Sequence, residues 1–223
     1  MTSLTVELPA GPVRVSTAWM TPPRPSAVVA LAHGAGAGME HPFLVGFAGA
    51  LHDLGVATLR FTFPYLEAGR RMPGPAAHAT ATWAAVLAET ERVHPGVGSV
   101  AAGKSYGGRM ASVAAAEGSI SPAALVYLGY PLHPPGDPAK LRAAHLPEIV
   151  APQLFVEGTN DPFIQPVPAF EEVVATCRDA EVHWIDGGGH CFEVKGAKRP
   201  PEQVGAALAE PVAQWLERRL PTG

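Results

Sequence analysis

The chain predicts an α/β fold in which a mainly parallel central sheet carries helices on both faces, with little or no cap domain. Three observations support this. Continuous apolar runs such as 27–32 and Ala124–Leu128 read as strands buried on both faces. Segments whose apolar residues recur at helical spacing lie between such runs, so strand and helix alternate as βαβ units of a parallel sheet. The chain has 223 residues, 47% of them hydrophobic, enough for a substantial core in one domain spanning 1–223.

In chain order, 5–8 and 13–18 flank Pro9-Ala-Gly-Pro12 and read as an opening hairpin. The strand at 27–32 ends in the glycine-rich stretch His33-Gly-Ala-Gly-Ala-Gly38. Phe43, Phe47, Leu51 and Leu54 recur at helical spacing over 42–54, and 56–61 is the next strand. The stretch 62–75 reads as irregular and the Ala-rich 76–93 as helix. Strands are expected at 97–102, 124–128, 153–156 and 182–185. Helices are expected from the turn after 102 to about 117, over 167–177 and over 202–219, and a short helical patch over 139–145 within the connector 131–150. No internal repeat and no dividing linker is present. The 24 glycines and 24 prolines fall between periodic segments, where they act as turns.

A net charge of −4 gives no electrostatic reason to expect nucleic acid or an anionic membrane as a partner. No apolar run approaches the roughly 18 residues that suggest a membrane span. The amino-terminal residues lack the basic and apolar regions of a secretory signal, so the expectation is a cytoplasmic protein. Cys177 and Cys191 are expected as thiols rather than a disulfide. They form no zinc pattern, the histidines lack H-E-x-x-H spacing, and no metal or organic cofactor is expected.

The stretch Gly98-Ser-Val-Ala-Ala-Gly103-Lys104-Ser105-Tyr106-Gly107 supports two incompatible chemistries. As G-x4-G-K-S it is the pattern of a phosphate-binding loop, and as G-x-S-x-G it is that of a nucleophile elbow. Strand placement discriminates between them. A phosphate loop needs its strand to end near Gly98, where Pro95 and Gly96 oppose a strand. The residues with strand character, 99–102, occupy the place of the flexible loop. An elbow needs a strand up to about Gly103, a serine at a sharp turn and a helix directly after it, which is the order found here.

A serine hydroxyl is a weak nucleophile until a base takes its proton, so an elbow requires a histidine and an acid to orient it. The acid comes first in chain order, then the base. Asp161 follows the strand at 153–156 and His190 follows the strand at 182–185, which puts both at the carboxyl edge of the sheet with Ser105. Asp186 competes as the acid but more simply ends its strand; His183 lies within a strand and is a poor base. Oxyanion donors are expected from the backbone N–H of Tyr106 and from Ala35 or Gly36 in the glycine-rich loop. That loop fails as a dinucleotide fingerprint because Met39 takes the place of its last glycine. His33 is expected to brace the loop by hydrogen bonding.

These pieces resemble the α/β-hydrolases, and more closely a small dienelactone-hydrolase-like subfamily related to a histone-acetyltransferase-complex subunit and to testis-expressed homologues. The resemblance rests on LAHGAGAG (31–38), HPF (41–43), GKSYGGRMAS (103–112), GYPLHPPG (129–136), FVEGTNDPF (155–163) and GGGH (187–190). It implies that Ser105, Asp161 and His190 form a triad and that Lys104 belongs to the elbow. The cysteine nucleophile of true dienelactone hydrolases is absent, so their substrate is not carried over. The expected function is hydrolysis of a small ester or other acyl compound. A non-catalytic binding or scaffold protein of the same fold is the second reading, since some relatives are subunits of complexes, and a protein partner goes with it. A P-loop nucleotide binder is the third. With so short a connector at 131–150 the site is expected to be exposed and shallow. Tyr65, Leu132, His133 and Phe163 are candidates to line it, and Lys104, Arg70 and Arg71 to favour an anionic substrate.

Overall fold

The computed structural model describes residues 1–220. Eight strands form one sheet: β1 (Thr2–Leu8), β2 (Gly11–Met20), β3 (Val28–Ala32), β4 (Ala57–Phe61), β5 (Ser99–Lys104), β6 (Ala124–Leu128), β7 (Gln153–Gly158) and β8 (Ala180–Ile185). Their spatial order is β1-β2-β4-β3-β5-β6-β7-β8. The opening hairpin adds antiparallel to β4, and every pairing from β4 through β8 is parallel.

Period-two alternation divides the side chains of each central strand between two cores. On one face Ala30, Ala101, Leu125, Tyr127 and Phe155 meet Trp83, Met110 and Phe170. Those three belong to α3 (Ala76–Val93), α4 (Tyr106–Ala116) and α5 (Val167–Ala175). On the other face Val29, Leu31, Val100, Val126 and Val156 meet Phe47, Val204 and Trp215. These lie on α1 (Pro42–Asp53), α6 (Pro201–Ala207) and α7 (Ala209–Arg219). Phe47 and Trp83 are fully buried, and truncating either to alanine is expected to cost about 3–5 kcal/mol. Trp83 also ties α3 to the start of α4, since its Nε1–H donates to the Gly107 carbonyl at 3.2 Å.

Three expectations need correction. The irregular stretch 62–75 contains a short helix, α2 (Pro64–Glu67), entered through Pro64 at its first position. No helix forms over 139–145, and the only helical turn in the connector is 3-10, over Leu146–Glu148. Tertiary bonds claim the backbone there instead. The Arg142 N–H donates to Leu132 O at 2.8 Å, and its carbonyl accepts from the Tyr130 hydroxyl at 2.8 Å. The last helix breaks into α6 and α7 at Leu208, because Pro211 lacks the N–H that would bond the Ala207 carbonyl.

Parallel pairing brings the carboxyl ends of β3, β5, β7 and β8 to one edge. The loops that follow them carry the glycine-rich stretch, Ser105, Asp161 and His190. The strand assignment also removes the phosphate-loop reading. Residues 99–104 are hydrogen-bonded strand between β3 and β6, so their N–H groups cannot wrap an anion.

Candidate active site

Ser105 stands between β5 and α4 with φ 49° and ψ −113°. A β-carbon is strained in the left-handed region, at about 1–3 kcal/mol, and such a conformation persists only where its surroundings impose it. Here the Ser105 N–H donates to Leu128 O at 3.1 Å, and its carbonyl accepts from the Arg109 N–H at 3.0 Å. Strand and helix approach so closely beneath the turn that a Cβ on Gly103 would lie 2.3 Å from Gly108 N. Glycine is therefore required there for contact rather than for flexibility.

Asp161 is fully buried in the turn after β7. Its Oδ1 accepts from the Phe163 N–H at 2.8 Å, and its Oδ2 lies 2.6 Å from His190 Nδ1. The two turns touch: a Cβ on Gly158 would sit 2.2 Å from Gly188 O. His190 Nε2 lies 2.9 Å from Ser105 Oγ. A carboxylate accepts, so Nδ1 carries the imidazole proton and Nε2 is left to accept from the serine hydroxyl. Burial holds His190 below the ordinary histidine value and the Lys104 ammonium adds to this, while the bond to Asp161 pulls the other way. Ser105, His190 and Asp161, assigned together from the sequence, are thus brought into one hydrogen-bonded chain. Asp186 instead sits exposed beyond the end of β8.

Lys104 points back toward this chain. Its Nζ donates to the His190 carbonyl at 2.6 Å and stands 5.4 Å from the centre of the Phe192 ring. Phe192 is buried with φ 62° and stacks on Phe43 at 5.8 Å. On the other side the Phe163 ring lies 4.1 Å from the His190 ring, centre to centre. The imidazole is therefore held through its backbone and by a neighbouring ring.

The expected oxyanion donors divide. The N–H groups of Tyr106 and Ala35 have no protein acceptor among the described residues, and Gly34 next to Ala35 is packed against Ser105. Gly36 is a correction: its N–H donates to the Tyr65 hydroxyl at 3.3 Å. His33 braces this loop as expected, its Nε2 accepting from the Phe63 N–H at 3.1 Å and its Nδ1 lying 2.8 Å from Gly34 O.

A cavity of about 870 Å³ opens over Ser105 and His190, within the range of small-ligand sites. It is larger than the shallow site expected, because its wall comes from elements other than a lid. Phe43 and Leu44 of α1, Val204 of α6, Met72 and Pro73, and Pro131 supply its apolar lining. Phe163 lines it too. Tyr65, Leu132 and His133 do not, and each is buried as packing. The His133 ring nitrogens lie 2.8 Å from Pro134 O and Gln165 O, bracing the connector. Lys104 lines the cavity, whereas Arg70 and Arg71 are exposed elsewhere. Arg109, Arg142 and Arg199 line it and were missed. Arg109, four residues after Ser105 on a helix, was open to discovery by spacing; nothing local marks Arg142. Cys177 and Cys191 are free thiols.

The sheet order and the site at its carboxyl edge are those of the α/β-hydrolase fold. A family model described as an alpha/beta hydrolase domain matches residues 25–217, and the chain belongs to that family. Its fold is similar to an alpha-beta serine hydrolase homologue from Coxiella burnetii, at 20% identity and TM-score 0.74, covering 96% of this chain and 97% of that one. It is similar to a dienelactone hydrolase from Anabaena variabilis at 21% identity and TM-score 0.75, covering 99% and 98%. A third similar structure is a lidless serine hydrolase from Xanthomonas campestris, at 20% identity and TM-score 0.72, covering 100% and 96%. Among the described residues no helix is long and apolar enough to cross a membrane.

Proposed function

We propose that the protein is a serine hydrolase cleaving carboxylic esters or closely related acyl compounds. The observation that carries this is the chain from Ser105 Oγ to His190 Nε2 at 2.9 Å and from His190 Nδ1 to Asp161 Oδ2 at 2.6 Å, beneath an open cavity. His190 takes the hydroxyl proton as Ser105 attacks the carbonyl carbon, and Asp161 stabilises the imidazolium that results. The N–H groups of Tyr106 and Ala35 face the oxygen on which charge develops, where each preorganised donor contributes on the order of 3 kcal/mol. His190 then returns the proton to the leaving alcohol. Water, deprotonated by the same imidazole, releases the acid from Ser105.

The strained turn at Ser105 is read as the nucleophile elbow that lifts Oγ clear of the sheet. The names of the structural relatives, serine hydrolase and dienelactone hydrolase, agree with acyl chemistry. Kinship with the subfamily that includes a histone-acetyltransferase-complex subunit is part of the same proposal. It carries the second reading, a scaffold without turnover, against which the open access to Ser105 counts.

A fluorophosphonate probe tests the reading. It is expected to label wild-type protein at Ser105, to leave Ser105→Ala unlabelled, and to be unaffected by excess ATP. Folded wild-type protein that takes up no probe would overturn it.

A further inference from the structure

The structure assigns a carboxylate-binding subsite to Arg109 and Arg142 beside Ser105, so that the ester cleaved is one carrying a free carboxylate a short chain away from the scissile carbonyl. This rests on the serine-hydrolase reading and names its substrate class.

Arg109 and Arg142 line the same cavity as Ser105 and His190, from different elements. Arg109 lies one turn along α4 from Ser105, its N–H bonded to the Ser105 carbonyl, which places it about 6 Å farther along the helix. Arg142 sits on the connector, with both its N–H and its carbonyl held. They are close enough to act on one another: burial first, then the charge of Arg109, lowers the pKa of Arg142. Burial and Arg109 likewise push the neighbouring His145 down to about 4, so His145 itself adds no charge at neutral pH.

Like charges gathered in a cleft repel, and among the described residues neither arginine has a carboxylate within ion-pair distance. The arginines that form ion pairs are Arg60, Arg92, Arg178, Arg218 and Arg219, all with carboxylates elsewhere on the fold. Arg109 and Arg142 have no such partner, and the buried Nε of Arg109 has no acceptor. Of the other charged groups lining the cavity, Lys104 is engaged by the His190 carbonyl and Glu193 by the Cys191 N–H at 3.0 Å, while Arg199 adds further positive charge to the same cleft. A guanidinium presents paired N–H donors that match the two oxygens of a carboxylate. The apolar residues that line the same cavity suit a short carbon chain. A monoester of a short dicarboxylic acid meets all three conditions.

The test compares kcat/KM for the 4-nitrophenyl monoester of glutaric acid with that for its methyl-capped, uncharged diester. Wild-type protein is expected to favour the acid by about ten- to hundredfold, the range set by one or two charge-assisted hydrogen bonds. Arg109→Gln and Arg142→Gln are each expected to cut this ratio about tenfold or more, while the remote Arg178→Gln leaves it as in wild type. Should Arg109→Gln not fold, Arg142→Gln on the connector carries the comparison. A wild-type ratio near one, or a ratio unchanged in Arg142→Gln, would overturn the subsite. Glutarate binding measured by calorimetry provides a readout independent of turnover. It is expected to saturate wild type and to weaken about tenfold in Arg142→Gln; no binding to wild type also overturns the proposal. Cleavage of neither ester together with unlabelled Ser105 would instead strike the hydrolase reading, and glutarate binding would still decide the subsite.

Discussion

On the floor of the cavity the Lys104 ammonium is bonded to the His190 carbonyl and backed by the Phe192 ring, whereas on its wall Arg109 and Arg142 form no ion pair among the described residues and the Arg109 Nε has no acceptor. The contrast separates two uses of positive charge around one serine. A cation whose donor is already satisfied by its own chain holds geometry and tunes its neighbours. One whose donors are left unsatisfied at a partly apolar cleft is matched to something that arrives from solution.

The largest effects should come from the floor itself. Ser105→Ala and His190→Ala are each expected to lower ester turnover by on the order of 10⁴-fold or more with the fold retained, the scale at which members of such a unit act; rates with a short-chain nitrophenyl ester and circular dichroism check this. Asp161→Asn should lose about 10²- to 10⁴-fold in kcat, because an amide cannot stabilise the imidazolium as a carboxylate does.

Gly158→Ala should come next. Its Cβ would meet Gly188 O at 2.2 Å, so the turns carrying Asp161 and His190 must part, at about 1–3 kcal/mol of stability. Turnover should fall although all three functional side chains remain, and thermal unfolding read beside kcat would show both losses.

Lys104→Met tests the floor cation directly. It removes one charge-assisted bond to the His190 backbone, so turnover of a neutral ester should fall about ten- to hundredfold. The acid-to-neutral substrate ratio should move less than in Arg142→Gln. If Lys104→Met instead abolished that ratio and Arg142→Gln did not, the division between floor and wall would be reversed.

The smallest effect is a shift in pH dependence. His190 must be neutral to act as base, and burial reinforced by Lys104 depresses its pKa. Log kcat/KM should therefore rise with pH through a midpoint below the ordinary histidine value of about 6.5 and level off above it. Removing the cation in Lys104→Met should move that midpoint upward.

Much of the site was legible along the chain. Ser105, Asp161 and His190 each follow a strand, and parallel pairing carries all such positions to one edge, so their meeting follows from strand order alone. The N–H groups of Tyr106 and Ala35, which meet no protein acceptor among the described residues, lie on loops reachable by the same logic. Gly36 was misjudged because nothing local shows that the Tyr65 hydroxyl accepts its N–H. Tyr65, Leu132 and His133 were candidates to line the cavity, but they are buried, and His133 braces the connector. Arg142 was invisible for the opposite reason. Its segment was expected to be helical, and only bonds to Leu132 and Tyr130 hold it in the extended path that brings it beside Arg109.

By itself, then, the amino-acid order determined the alternation of strand and helix and the serine-bearing turn that rules out a phosphate loop. It also determined which turns carry an acid and a base, because these depend on local periodicity, backbone chemistry and the rules of parallel pairing. Tertiary structure alone decided how deep the cavity is, which polar groups remain unsatisfied around it and whether each cation is tied or free. Those properties depend on distances between residues far apart in the chain, which no local pattern encodes.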